Sequence, residues 1–315
     1  MEEGGISVDS GGELAGDAGL RHHAFVYESQ EDYLAVAVPF LQQGLELGQG
    51  AVVANTTGRL GAIRDALGAH SSGVTFVDVS EAYTRPARTL AAYHHVYAEE
   101  LSRCTALRAV ADVQFGPVPA EWELWTGYEA VFNRSFADLP VWVLCSYTTR
   151  ELPDLIREGI WRAHPEVVTS GTWHASASYD PRNRPWRPDT GHQPLEHPEE
   201  IDVGAGVEGL RGDLIESMHR HGLPSVRVLD LVMATTEILD NASAHGQGVR
   251  AVRVGRLGGR YVCDVVDHGP GFDDPLAGYL APHPGRGSGL WVVRQLTWDL
   301  EFFHQPDGFT ARITA

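Results

Sequence analysis

The chain has 315 residues, of which 43% are hydrophobic and 21% are charged, as is typical of a folded protein rather than a disordered one. Its net charge of −18 argues against a nucleic-acid-binding surface, because contact with phosphates requires clustered basic side chains. The three cysteines, Cys104, Cys145 and Cys263, lie far apart and include no CxxC pair. The sequence therefore supports neither a disulfide framework nor a cysteine zinc site.

Three features of the sequence predict where the protein resides. Its few, widely spaced cysteines suit a reducing compartment. The first residues are acidic and rich in glycine, unlike the basic and then apolar pattern of a signal peptide. No apolar run reaches the roughly 18 residues needed to span a bilayer. We therefore expect a cytoplasmic protein with no membrane or nucleic-acid partner.

The first half of the chain alternates between strand-like and helical segments. Residues 1–18 predict a flexible tail, and the alternation begins at residue 19. Strands are predicted at HAFVY, AVVAN, VTFVDV, LRAVADV and VWVLCSY. Helices are predicted near residues 30–49, 58–68, 86–103, 119–135 and 150–163. Strands separated by helices indicate βαβ units, so residues 19–179 are expected to form an α/β domain with a mainly parallel sheet.

A proline-rich segment separates this domain from the rest of the chain. Proline at this density disfavours regular structure, so residues 180–205 are predicted to be a linker. Residues 206–315 then predict a different order of elements, with helices near 207–221, 225–244 and 288–296 and two hairpins. This order indicates a two-layer α/β sandwich with a mixed, largely antiparallel sheet.

The helix near 225–244 carries the first of three polar motifs. Glu237 and Asn241 are four residues apart and therefore leave the same face of the helix. A carboxylate beside an amide suits the polarisation of a hydroxyl group while the amide oxygen ligates magnesium. The alternative is an ordinary solvated helix face, which such pairs most often mark.

The second motif, DHGPGFDD, follows a predicted strand and contains Asp267, Gly269 and Gly271. An ordinary strand-ending turn is one interpretation, because Asp and Gly are common there. A nucleotide pocket is the other, with Asp267 accepting a hydrogen bond from a base and the glycines allowing close backbone approach. A calcium loop is excluded, since its twelfth position would be Gly278 rather than glutamate.

The third motif, GRGSGL, opens an apolar helix with glycines at positions 285, 287 and 289. Glycines at a helix start expose backbone N–H groups and the positive end of the helix dipole to phosphate. The spacing does not match the dinucleotide-binding motif, and no strand precedes it. A Walker A motif is excluded because the chain contains no lysine.

The order and spacing of these motifs resemble the GHKL ATPase superfamily, which includes gyrase-type ATPases, heat-shock chaperones, sensor histidine kinases and anti-sigma serine kinases. The resemblance implies a Bergerat fold that binds ATP and Mg²⁺. It implies that Glu237 is the general base, that Asn241 ligates the metal and that Asp267 recognises adenine. The expected cofactor-binding residues are Asn241, Asp267, Gly269, Gly271, Gly285, Arg286, Gly287, Ser288, Gly289 and Leu290, under a lid formed by residues 272–286.

Within this superfamily, the ending NASAHG, the short lid and the small size look most like the anti-sigma factor serine kinases. Those proteins bind a sigma factor and phosphorylate a serine of an anti-anti-sigma partner, and the family implies a homodimer. Two alternatives stay open. A histidine kinase-like phosphodonor would need an autophosphorylated histidine, yet His219 and His221 lack an acidic neighbour. A partner-switching module would bind ATP without transferring phosphate.

The first domain resembles the MEDS sensory domain in the segments HHAFVYESQEDYLAVAVPFLQQGLELGQGAVVAN, TGYEAVFNRSF, VWVLCSYTTREL and RAHPEV. The family implies small-molecule sensing on a RecA-like α/β scaffold. ATP is not expected there, because YESQEDY has no phosphate-binding glycines. Ala24 stands where some members have cysteine, which argues against a thiol or metal role at that position of the first strand. The candidate pocket residues are His22, Tyr27, Glu129, Asn133, Cys145 and Tyr147, although ordinary core residues beside strands are the competing interpretation.

The sequence as a whole therefore predicts a cytoplasmic regulator of transcription. Its sensory domain is expected to respond to a small molecule and to gate a serine/threonine kinase domain of the GHKL anti-sigma type, which uses ATP and Mg²⁺.

Overall fold

The computed structural model describes residues 19–79, 85–113, 115, 119–148, 153–182, 191–274, 276–280, 287–306 and 308–315. The chain divides into two compact units, residues 1–187 and 188–315. The described residues of each unit enclose a hydrophobic core. None of the described helices has both the length and the apolarity needed to cross a lipid bilayer. The predicted tail, residues 1–18, lies outside the described residues.

The first unit is an α/β domain built on a seven-stranded sheet. Its strands are β1 (Arg21–Tyr27), β2 (Gly50–Asn55), β3 (Val74–Asp78), β4 (Leu107–Asp112), β5 (Val141–Thr148), β6 (Glu166–Thr169) and β7 (Thr172–Ala175). Its helices are α1 (Gln30–Glu46), α2 (Thr57–Leu67), α3 (Pro86–Leu101), α4 (Pro119–Ser135) and α5 (Asp154–Ala163). The strand order is β3-β2-β4-β5-β1-β6-β7, and only the β6–β7 pairing is antiparallel among the described strands. The prediction of a mainly parallel α/β fold is confirmed, and the β6–β7 hairpin adds to it.

Local sequence explains how α1 covers one face of this sheet. Helix α1 begins after Ser29, whose hydroxyl accepts a hydrogen bond of 3.0 Å from the backbone N–H of Asp32. Its buried residues recur every three or four positions and are Tyr33, Ala37, Phe40, Leu41 and Gly44. They pack with Phe25 of β1, whereas His22 points to the opposite face of the sheet, where α4 and α5 lie.

The second unit is a two-layer sandwich of helices on a five-stranded sheet. Its strands are β8 (Glu196–Ile201), β9 (Val249–Leu257), β10 (Arg260–Asp267), β11 (Asp299–Gln305) and β12 (Gly308–Thr314), and its described helices are α6 (Gly206–Arg220), α7 (Ser225–His245) and α8 (Gly289–Leu296). The strand order is β11-β12-β10-β9-β8. The predicted α/β sandwich is confirmed. Its sheet, predicted to be mixed, is antiparallel throughout its described strands.

Part of the predicted linker, residues 180–205, belongs to the second sheet instead. Residues 196–201 form the edge strand β8, which pairs with β9. The register shifts between Glu196 and Glu199, on either side of Pro198. Proline is tolerated at a sheet edge or bulge, because no ladder bond there needs its missing N–H. The segment EHPEEI lacks the alternating apolar pattern of a half-buried strand, so the sequence alone does not indicate it.

Residues just before β8 cover a buried ion pair between β10 and β12. The guanidinium of Arg312 donates to both carboxylate oxygens of Asp264, each at 2.7 Å. Arg312 also donates to the backbone oxygen of Gln193 at 2.8 Å, and His192 Nε2 lies 3.0 Å from Asp264 Oδ2. A buried charge is costly when its partners are incomplete. Because His192 and Gln193 supply partners to this ion pair, the chain just before β8 belongs to the second unit.

A fragment of residues 188–315 is expected to be more stable than a fragment of residues 205–315. The shorter fragment lacks β8 with its buried Ile201, and it lacks the cover over the Arg312–Asp264 pair. Burial of Ile201 alone corresponds to roughly 2 kcal/mol in the free energy of unfolding. Urea denaturation of both fragments measures the difference. Equal unfolding midpoints and slopes would contradict the assignment of β8 to this unit.

Candidate functional site

Glu237 and Asn241 lie side by side on α7 and face the first residue of α8. A buried stripe holds α7 against the sheet, and it comprises Val228, Leu231, Ala234, Thr235, Ile238, Leu239 and Ala242. The two polar side chains leave the flank of this stripe and are half-buried. A Cβ atom on Gly289 would lie 2.8 Å from Glu237 Oε2 and 3.5 Å from Asn241 Nδ2. Glycine therefore lets α8 begin directly against the polar pair.

The carboxylate of Asp267 is held at the end of β10 by two closely packed glycines. A Cβ on Gly246, which ends α7, would lie 2.4 Å from the Asp267 carboxyl carbon. The backbone N–H of Gly269 donates to Asp267 Oδ1 at 2.8 Å. Burial raises the pKa of Asp267, whereas the Gly269 hydrogen bond and the nearby His268 lower it. This packing fixes the orientation of a partly buried hydrogen-bond acceptor.

Aromatic side chains form an apolar wall beside Asp267. Gly271 adopts a positive φ of 67°, and a Cβ there would lie 2.0 Å from the ring of Phe309. The rings of Phe302 and Phe309 stack with centroids 5.8 Å apart, and Phe272 packs on Phe309 at 5.3 Å. Only glycine at position 271 allows the chain to pass so close to this wall.

Arg294 fixes the segment 276–280 on α8, and the sequence analysis did not identify it. Its side chain is 4% exposed and donates through Nε to the backbone oxygen of Ala277 at 2.6 Å. The guanidinium carbon lies 3.7 Å from the centre of the Tyr279 ring. The signal in the sequence is an arginine inside the mostly apolar helix GLWVVRQL. These contacts involve part of the segment predicted to be a lid.

These elements enclose a cavity of about 550 Å³, which lies within the usual size range of small-molecule pockets. Polar groups and glycines of all three motifs line it, namely Asn241, Asp267, Gly271, Gly287 and Gly289, together with Leu290. The Nδ2 atom of Asn241 is buried without a hydrogen-bond partner. A Cβ on Gly287 would meet no atom within 4 Å.

The other predicted contact residues lie around the cavity or outside the described part of the chain. Glu237 is next to the cavity behind Gly289, and Ser288 is exposed at the start of α8. The first turn of an α-helix leaves its N–H groups without partners inside the helix, which suits an anion. Gly285, Arg286 and the part of the predicted lid at 281–286 are not among the described residues.

A second group of polar side chains is buried in the first unit, between the sheet and helices α4 and α5. His22 Nδ1 lies 3.0 Å from Asn133 Oδ1, and His22 Nε2 lies 3.0 Å from Cys145 Sγ and 3.3 Å from Glu129 Oε2. The hydroxyl of Tyr147 is close enough to affect the pKa of Glu129. The structure thus brings five of the six candidate pocket residues together.

His164 completes this group and was missed by the sequence analysis. It follows α5, and its Nε2 lies 3.1 Å from His22 Nε2 and 3.7 Å from Glu129 Oε2. Burial lowers the pKa of both imidazoles to about 3 and raises the pKa of Glu129. The only signal in the sequence is its place in the segment RAHPEV, because its side-chain partners His22 and Glu129 are far away in the chain.

Tyr27, the sixth candidate, is not part of this group. Its side chain points to the opposite face of the sheet, since residues of β1 alternate between the two faces. There its hydroxyl contacts Arg59 and lies 3.4 Å from Asp112 Oδ1. Burial raises the pKa of this phenol to about 12. Tyr27 therefore lies outside the predicted pocket, because side chains alternate between the two faces of the sheet along β1.

Comparison with known protein families agrees with both units. Residues 21–165 match the family model of MEDS, the methanogen/methylotroph, DcmR sensory domain. Residues 205–315 match the model of the histidine kinase-like ATPase domain. No curated protein matches the chain. The predicted order, a MEDS domain followed by a histidine kinase-like ATPase domain, is confirmed, and it indicates a regulatory, kinase-like protein that uses ATP.

The substitution Gly246→Ala is expected to weaken ATP binding at least about tenfold, because the new methyl group would displace the Asp267 carboxylate from its fixed position. Isothermal titration calorimetry with ATP measures the affinity, and circular dichroism checks the fold. Gly212→Ala is the matched control, since a Cβ on Gly212 in α6 meets no atom within 4 Å. Unchanged affinity in a folded Gly246→Ala protein would contradict the role of this close contact.

Proposed function

We propose that the protein is a cytoplasmic anti-sigma factor-type regulator. Its ATPase domain would transfer the γ-phosphate of ATP to a serine of an anti-anti-sigma partner, and it would also bind a sigma factor. The MEDS domain would gate this activity in response to a small molecule. The match of residues 205–315 to a kinase-like ATPase domain supports the ATP-dependent part of the proposal.

One observation carries the proposal. The carboxylate of Glu237 lies beside Gly289 at the start of α8, and Gly289 lines a cavity together with Asn241 and Asp267. A proton acceptor is thereby placed next to the helix end that suits a phosphate. A module that only binds ATP needs the anion site but has no need of this carboxylate.

The residues around the cavity fit a magnesium ion bound together with ATP. Magnesium usually keeps several waters and takes only one or two protein oxygens in addition to phosphate oxygens. Asn241 lines the cavity and offers an amide oxygen, the kind of ligand that magnesium takes. The ion would neutralise charge that develops on the phosphates.

The chain's own groups account for each step of the proposed transfer. Asp267 would accept a hydrogen bond from the adenine amino group, and the backbone N–H groups of residues 287–290 would hold phosphate oxygens. Glu237 would accept the proton of the partner's serine hydroxyl while the serine oxygen bonds to the γ-phosphorus. The bond from that phosphorus to the β–γ bridging oxygen breaks, and ADP leaves.

An exposed apolar stripe on α7 supports binding to another protein. Val226, Leu229 and Met233 follow helical spacing and are 74%, 67% and 56% exposed. Apolar side chains grouped in this way on a surface are typical of protein contact sites. A sigma factor, an anti-anti-sigma protein and a second copy of the chain are the partners that the proposal implies.

The substitution Glu237→Gln is expected to slow phosphate transfer at least about 100-fold while leaving ATP affinity nearly unchanged, because it removes the base and keeps the shape. Incubation with γ-labelled ATP, Mg²⁺ and a candidate anti-anti-sigma protein measures the transfer. Asp240→Asn is the matched control, since Asp240 is an exposed carboxylate on the same helix. Transfer at the wild-type rate in Glu237→Gln would exclude the base assignment.

The chemical stability of the label separates the proposal from its two alternatives. An acid-stable label on the partner, lost when its serine is replaced, supports the serine kinase. Acid-labile label on the protein itself would instead indicate a histidine kinase-like phosphodonor. ATP binding without any label would indicate a nucleotide-dependent partner switch.

The wild-type protein is expected to bind ATP more tightly than GTP, and Asp267→Asn should reduce this preference. A carboxylate accepts a hydrogen bond from the adenine amino group but repels the guanine carbonyl oxygen, whereas an amide can donate to that oxygen. The lost charge-assisted bond corresponds to about a tenfold weaker binding of ATP. Calorimetry with both nucleotides tests this, with Asp273→Asn as the exposed control. Equal ATP and GTP affinities in the wild type would remove Asp267 from adenine recognition.

A further inference from the structure

Four potential metal ligands converge inside the first unit although they are distant in sequence. His22 belongs to β1, Glu129 to α4 and Cys145 to β5, and His164 follows α5. One ligand atom from each of the four lies within 4.8 Å of all the others. All four side chains are at most 2% exposed. Such a cluster differs from exposed acidic groups, which commonly gather without an ion.

Hydrogen bonds determine which nitrogen of each imidazole carries the proton. His164 Nδ1 lies 2.7 Å from the Ile160 carbonyl oxygen, which can only accept, so Nδ1 is the donor. Asn133 donates through Nδ2 to the Ala163 oxygen at 2.6 Å, which turns its Oδ1 toward His22. His22 Nδ1, at 3.0 Å from that Oδ1, is therefore also a donor.

The opposite nitrogens then point lone pairs at the same space. In the neutral imidazoles both Nε2 atoms are acceptors, yet they lie 3.1 Å apart with no hydrogen between them. Two acceptors at this distance in a dry interior repel each other unless a positive group lies between them. The same space is bordered by Glu129 Oε2 and Cys145 Sγ.

The oxygen atoms around this space have no well-formed hydrogen bonds. The Tyr147 hydroxyl and the Cys145 thiol lie close enough to lower the pKa of Glu129, but neither makes a hydrogen bond of normal geometry with its carboxylate oxygens. Leaving a buried carboxylate unsatisfied is costly. A cation at the centre would satisfy the carboxylate and both imidazole lone pairs at once.

We infer that His22, Glu129, Cys145 and His164 bind one divalent cation of the zinc type in the MEDS domain, a site that is independent of the proposed phosphate transfer. Two imidazoles, one thiolate and one carboxylate are donors that zinc accepts, whereas magnesium and calcium prefer oxygen alone. The thiolate and the carboxylate together cancel the charge of the ion. The site is therefore neutral, as a buried position requires.

The distances between ligand atoms agree with this assignment. Zinc bonds of about 2.0 to 2.3 Å at tetrahedral angles place neighbouring ligand atoms roughly 3.3 to 3.6 Å apart. The observed separations from His22 Nε2 are 3.1 Å to His164 Nε2, 3.0 Å to Cys145 Sγ and 3.3 Å to Glu129 Oε2. His164 Nε2 and Glu129 Oε2 are 3.7 Å apart and all four ligand atoms lie within 4.8 Å of one another, so some pairs would move apart and others together around the ion.

Residues behind the ligands have the arrangement that metal sites require. A histidine ligand usually donates its other ring N–H to a fixed acceptor, which orients the ring. The Asn133 amide oxygen and the Ile160 carbonyl oxygen fill this role for His22 and His164. Since four protein ligands leave no open position, the ion would connect β1, β5, α4 and the end of α5 rather than catalyse a reaction.

Metal analysis of the tag-free, full-length protein tests the inference. Protein produced with added zinc is expected to contain one zinc ion per chain by mass spectrometry. The variants Cys145→Ser, Glu129→Gln and His164→Gln should each retain less than about a tenth of that metal. The matched controls are His23→Gln, which changes the neighbouring buried histidine, and Cys263→Ser, which changes a buried cysteine of the other unit. Both controls should keep the full metal content.

A spectroscopic measurement on the wild-type protein does not depend on the folding of variants. Exchange with Co²⁺ should produce the visible bands of a tetrahedral site and a thiolate-to-cobalt charge-transfer band. Zinc should also raise the melting temperature of the wild type.

Failure of the wild type to bind zinc or cobalt would overturn the inference. So would full metal content in Cys145→Ser or in Glu129→Gln. The cluster would then be a hydrogen-bonded core in which the thiol and a protonated Glu129 supply the missing donors.

Discussion

The close contact between the first residue of α8 and the polar face of α7 is the constraint on which the nucleotide site depends. A Cβ on Gly289 would lie 2.8 Å from Glu237 Oε2, so a side chain there would displace the Glu237 carboxylate. Because the helices meet at this point, the start of α8 and the amide of Asn241 border one cavity. Asp267 is held by a similar contact, since its carboxylate lies directly against Gly246. Close backbone packing at glycines thus positions both ends of the site.

Both units contain a glutamate and an asparagine four residues apart on a helix, but their surroundings give the two pairs different chemistry. Glu237 and Asn241 are half-buried beside a helix start, where the dipole favours an anion such as phosphate. Glu129 and Asn133 lie in a dry interior, where Glu129 faces two imidazoles and a thiol. A buried carboxylate among such groups favours a cation. The spacing alone does not distinguish these two outcomes.

A cation in the MEDS domain would also change how sensing is understood. Three of the predicted pocket residues, His22, Glu129 and Cys145, would be ligands, and Asn133 would orient one of them. A sensed molecule would then act on the metal cluster itself or bind at another place. Tyr27 contributes to a different polar group with Arg59 and Asp112 on the opposite face of the sheet.

Sequence periodicity, turn residues and motif spacing predicted the two domains and nearly all of their helices and strands. They also indicated Asn241 and Asp267, which the structure brings to one cavity. These features are local, so neighbouring residues suffice to indicate them. The tertiary structure alone decided the edge strand β8, the role of Arg294, the exclusion of Tyr27 and the addition of His164. Each depends on contacts between residues far apart in the chain. Sequence patterns do not encode such contacts, because burial and partner atoms exist only once the strands and helices have packed.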